Sequence, residues 1–132
     1  MNTKAVITVV TLLLMVTAAV SVQAPRVRAS TVRNITLYGS SGGGWGYSVG
    51  SMGTPGPTIV VDQGDLINLT LISFDELSHR FFVSYSGATT NSTGDPASPD
   101  FSGTINFQFT ADRNGTFTYY CAHHPLTMYG TF

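Results

Sequence analysis

Gly115-Thr116-Phe117-Thr118-Tyr119-Tyr120-Cys121-Ala122-His123-His124-Pro125-Leu126-Thr127-Met128 changes character in its middle. Through 116–121 the residues alternate, with Phe117, Tyr119 and Cys121 on one side, the two-residue period of a strand. Phe117 and Tyr119 are natural core residues, so Cys121 is expected to face inward at the strand's end. Beyond it, a short loop can bring His124 and Met128 back to the same point, in the spacing C-x2-H-x3-M.

The same parity test picks out a second inward donor. His79 shares the apolar set of Phe81, Val83 and Tyr85, while Arg80 falls on the opposite, wetter face. A thiol and an imidazole from distant strands thus point into one end of a common core. Taken singly, each residue has a structural explanation: a buried Cys is a small hydrophobe, an inward His a hydrogen-bonded core residue, and a Met is packing. Taken together, His79, Cys121, His124 and Met128 form the soft and borderline donor set that suits both oxidation states of copper. The two His and the Cys are expected roughly in a plane, with Met128 as a weak axial ligand. Pro125 stiffens the turn and favours His124 as the ligand. His123 is the alternative, otherwise expected in solvent or behind the ligands.

Outward from this loop the chain reads as strands and turns. Residues 104–110 set Ile105, Phe107 and Phe109 against Asn106 and Gln108, and 66–73 set Ile67, Leu69 and Leu71 against Asn68 and Thr70. Further strands are expected over 34–38, 81–85 and 129–132, with 58–61 an apolar run. Asp62-Gln63-Gly64-Asp65 and Asp112-Arg113-Asn114-Gly115 mark turns between them. Residues 87–102 read as a polar loop. The Gly- and Ser-rich 39–57 read as a loop with one aromatic packed on the core, or as a short strand over 45–49. The pattern predicts an all-β antiparallel sandwich.

The start of the chain reads differently. Lys4 precedes an uncharged run over 5–22, and Val22-Gln23-Ala24 resembles a cleavage signal. Residues 1–29 are therefore a signal peptide or an N-terminal membrane anchor, since the run is also near the lower limit for a span. Residues 30–132 are one domain. Either way the folded part lies outside the cytoplasm: secreted, periplasmic, or on the outer face of the cell membrane. Sequons at Asn34, Asn68, Asn91 and Asn114 are compatible with glycosylation there. The single cysteine, Cys121, has no partner for an internal disulfide, and a free thiol outside the cell needs protection.

Lys4 is the only lysine, and from Ser30 onward three arginines face seven acids. That balance gives no basic footprint for nucleic acid and no polybasic membrane patch.

The sequence resembles the plastocyanin/azurin family of blue copper proteins, the cupredoxins. The residues that carry the likeness are Gly56-Pro57-Thr58-Ile59-Val60-Val61 leading to Gly64-Asp65, then His79, then 115–121, and the C-x2-H-P…M ending. The ligand loop is similar to amicyanin's with one residue inserted. The resemblance implies a Greek-key β-sandwich and one-electron transfer through one type 1 copper ion. Two departures bear on the site. Arg80 stands where many members carry an Asn that ties the ligand loops, and the longer loop before Met128 leaves a greener, tetragonally distorted site as an alternative to a blue one.

Enzymes built on this domain need further histidines for other copper centres. Only His123 remains here once His79 and His124 are assigned, so a non-enzymatic carrier is expected. The alternative is a copper-binding or trafficking module. As a carrier, the chain is expected to act as a monomer. Its redox protein partners would dock near His124, Pro125 and Leu126, with Met52 on the rim.

Overall fold

The computed structural model describes residues 29–132. The leader or anchor expected over 1–29 lies, but for Ala29, outside the described residues. Seven strands follow one another: β1 (Val32–Ser40), β2 (Gly44–Gly46), β3 (Leu66–Ser73), β4 (Phe81–Ser84), β5 (Thr104–Thr110), β6 (Thr118–Cys121) and β7 (Tyr129–Thr131). They form two sheets, in the orders β2-β1-β3-β5 and β4-β6-β7. The chain therefore crosses between sheets from β3 to β4, back to β5, and again to β6.

The expected antiparallel sandwich holds for every strand pair but one. β1 and β3 run parallel, from Val32↔Leu66 to Gly39↔Ser73. Parallel neighbours need a long crossover connection, and residues 41–65, containing β2, supply it.

Alternation builds the core. In β3, Ile67, Leu69 and Leu71 are buried, and the residues between them are half-buried. Phe81, Val83, Tyr119 and Cys121 answer them from the other sheet, where Phe81 pairs with Cys121 and Val83 with Tyr119. Each fully buried Ile, Leu, Val or Phe among them contributes roughly 1.5–3 kcal/mol from its removal from water. β5 sits at a sheet edge, so its inward row of Ile105, Phe107 and Phe109 is only half-buried.

One local expectation changes. The outer side of β4 is not wet, because Phe82 is fully buried and stacked on Tyr120 at 5.5 Å. The polar loop causes this: it folds back along β4, with Ser98 N–H donating to Phe81 O at 2.8 Å and Val83 N–H to Pro96 O at 3.0 Å. Arg80 is accordingly half-buried, with its Nε buried and unpartnered. In the Gly-rich segment, Trp45 is the packed aromatic, fully buried and paired through its backbone with Gly53. Gly44 admits this close approach, since a Cβ there would strike Gly53 O and its φ is +76°.

Candidate metal centre

Three segments converge at one end of the sandwich. His79 enters just before β4, pinned by paired backbone bonds with Phe101 at 2.8 and 2.9 Å. Cys121 closes β6. The chain then turns on itself: His124 N–H donates to Cys121 O at 3.2 Å, Met128 N–H to His124 O at 2.9 Å, and Cys121 N–H to Met128 O at 2.8 Å. A strand end, a tight turn and a returning strand thus place His124 and Met128 beside Cys121.

The donor atoms of His79, Cys121 and His124 all lie within 4.8 Å of one another. Cys121 Sγ is 3.6 Å from His79 Nδ1 and 3.7 Å from His124 Nδ1. Atoms bound to one ion at about 2.0–2.3 Å sit about 3–4 Å apart, so the three fit around a single metal. Met128 is fully buried on the same loop. A Cβ on Gly39 would stand 2.7 Å from the terminal methyl of Met128 and 2.6 Å from Trp45, so a bare glycine leaves room for both. Trp45 lies under the site, its ring 6.3 Å from that of His79.

The electrostatics favour a metal-binding thiolate. Burial pushes the Cys121 thiol up, but the His79 ring and the backbone N–H groups of Arg80, His123 and His124 outweigh it and hold the thiol below its usual range. Burial likewise opposes charge on His79, yet Cys121 and Asp75 keep it above the ordinary histidine value. His124 is pushed down, by burial and then by the charge of His79.

His79, Cys121 and His124, singled out in the sequence, come together, with Met128 buried on the same loop. His123 does not join them: it is 42% exposed and bonds Asp100 Oδ1 at 2.9 Å. The loop brace expected of an Asn is supplied otherwise. The backbone of Arg80 ties the loops, its N–H meeting Cys121 Sγ at 3.5 Å and its carbonyl accepting from Ala122 N–H at 2.8 Å. Sequence reasoning missed Asp75, counted only as an acid, whose Oδ1 lies 2.8 Å from His79 Nε2. No spacing marked it, since a separation of four residues brings side chains together on a helix and this stretch is a loop.

No family model matches the chain. It is 42% identical over 74 residues to the copper-containing nitrite reductase of Pseudomonas chlororaphis, across 55% of this chain and 20% of that protein. The chain thus spans about a fifth of the length of the curated relatives it matches, 20% and 21%. Among solved structures, it superposes on auracyanin A, a "blue" copper protein from Chloroflexus aurantiacus, with a TM-score of 0.57 at 18% identity, covering 76% of this chain and 96% of that one. The copper nitrite reductase from Nitrosomonas europaea gives a TM-score of 0.51 at 25% identity, over 76% of this chain and 40% of that one. With two sheets over a shared core, a convergent His79–Cys121–His124 cluster and Met128 on the closing loop, this chain is a cupredoxin in fold, with a site of type 1 copper make-up.

Proposed function

We propose that the chain carries single electrons through one copper ion held by His79, Cys121, His124 and Met128. One observation carries this reading: two imidazoles and a thiol, drawn from separate parts of a rigid sandwich, meet within a single ion's reach. Copper would supply the one-electron couple. The protein's part is to hold the same donors for both oxidation states, so that little moves when the electron arrives. Backbone bonds on both sides of His79 and along the Cys121–Met128 turn do this.

Carriage rather than turnover is favoured by the histidine count. Of three histidines, His123 alone lies outside the cluster, and Asp100 engages it. The way in is the half-buried edge of His124. Two residues along the chain from it, Leu126 is 83% exposed, and on the loop that leads to His79, whose ring is 5.1 Å from that of His124, Phe74 and Leu77 are 55% and 49% exposed. Apolar side chains exposed in this way suit short-lived encounters with redox proteins. The folded part is proposed to work outside the cytoplasm, where such partners would meet it.

The test is an absorption spectrum and a voltammogram of copper-loaded protein. An intense visible thiolate-to-copper band with a reversible one-electron wave is expected. Copper bound without that band, or lost to weak chelators, would point to trafficking instead.

A further inference from the structure

The loop before His79 carries a carboxylate whose bonds reach well beyond its neighbours. Asp75 Oδ1 accepts from His79 Nε2 at 2.8 Å, from Leu77 N–H at 3.2 Å and from Ser73 Oγ at 3.3 Å. Its Oδ2 accepts from Ser41 N–H at 2.7 Å, in the turn between β1 and β2. Ser41 O in turn accepts from Thr127 Oγ1 at 2.6 Å, inside the ligand loop. Thr54 Oγ1 donates to Thr127 O. Four separate stretches of chain are thereby tied together around Asp75 and Ser41, with no help from the Arg80 side chain.

We infer that Asp75 is the positioning residue of the site, fixing the orientation and tautomer of His79 and placing a carboxylate charge behind it. This rests on the copper reading above. The chemistry is specific. An ionised carboxylate only accepts, so His79 Nε2 carries the hydrogen and the Nδ1 lone pair is left for the ion. His79 is fully buried, and Asp75 is the side chain the protein supplies to its Nε2. The half-buried negative charge of Asp75 also favours the more positive oxidation state, and so holds the reduction potential down. Asp75 thus braces the site alongside the Arg80 backbone, from the other side of the His79 ring and with a charge added.

Asp75→Ala and Asp75→Asn separate the two roles, since Asn keeps the shape and an acceptor but removes the charge. Copper affinity is expected to fall about 10–100-fold in Asp75→Ala, in the range for lost partners of metal-bound histidines, with a shifted thiolate band. In Asp75→Asn the band should stay near its place while the potential rises. Thr127→Val, which cuts only the far end of the brace, should leave the potential unchanged. In metal-free wild type, above the pH at which the His79 ring loses its second proton, heteronuclear NMR should show the remaining hydrogen on Nε2 and a loss of that preference in Asp75→Ala. Wild-type potential, band and affinity in both Asp75 variants would overturn the inference while the copper reading stood. A wild type that lacks the thiolate band would sink the copper reading, and the metal-free ring nitrogens would still decide the role of Asp75.

Discussion

Two aspartates, one towards each end of β3, use the same device for different ends. At the far end from the metal centre, Asp65 is 2% exposed and accepts from Arg33 Nε at 2.8 Å and from the backbone of Thr31 and Asp62, both at 3.1 Å. At the site end, Asp75 accepts from Ser41, Leu77, Ser73 and His79. Both carboxyls are held below the ordinary aspartate range. Their partners differ. Arg33 is a permanent cation, so the Asp65 clamp fastens β1 to β3 whatever the chemistry. The partner of Asp75 is a ring whose other nitrogen faces Cys121, so what Asp75 fixes there bears on the metal. One clamp serves the fold and the other serves the site.

The sharpest way to break this division is to remove the thiol. Cys121→Ser should abolish the visible thiolate band outright, because no other sulfur ligand of that strength exists in the chain, while the metal-free protein should melt close to wild type. Asp65→Ala should do the reverse: the copper spectrum stays, and the melting temperature drops by several degrees because Arg33 and two backbone N–H groups lose their acceptor. Absorption and thermal melts on the same samples settle both. A Cys121→Ser chain that melts as low as Asp65→Ala would show that the two ends are not independent.

How far this division could be read beforehand follows from the range of each contact. The bounds of β3 and β5, and the inward rows of β3, were legible because alternation is local to the strand. His79 and Cys121 were legible for the same reason, and His124 by its fixed spacing from Cys121. The parallel pairing of β1 with β3 was not, because period-two patterns look alike in either direction. The burial of Phe82 was hidden because the cover comes from a polar loop around Ala97. The Asp75–Ser41–Thr127 brace joins residues 34 and 86 positions apart through side-chain rotamers, which no spacing rule encodes.

A glycine tests the boundary between site and core. Gly39→Ala would place a methyl 2.6 Å from Trp45 and 2.7 Å from the Met128 methyl. Overpacking of that kind costs about 1–3 kcal/mol. Since Met128 must give way, the thiolate band should also change in intensity or position. A denaturation curve and a spectrum on one sample check both, and a loss of stability with an untouched spectrum would place Gly39 with the fold alone.

Acid sharpens the comparison at the far end. The Asp65 carboxyl is held below the ordinary value of 3.8, first by its hydrogen bond to Arg33. A lowered folded-state value means the unfolded chain binds the proton more readily. The stabilisation is therefore complete above about 3.8 and is lost as pH falls through the folded-state value. In Asp65→Asn that part of the acid limb should disappear, giving a shallower fall of stability with acid in chemical denaturation. A slope equal to wild type would mean that the clamp adds nothing pH-dependent.

The smallest effect on the molecule itself belongs to Leu126. It is 83% exposed and holds no other side chain in place, so Leu126→Asp should leave stability within about 0.5 kcal/mol of wild type. It should also leave the copper spectrum as it is. What it changes is the apolar rim beside His124, where a charge must be desolvated each time a partner docks. Stopped-flow electron exchange with a redox partner should slow, and more so with an acidic partner than a basic one. An unchanged rate with both would move the docking face away from His124, most economically towards Phe74 and Leu77, where Leu77→Asp is the matching variant.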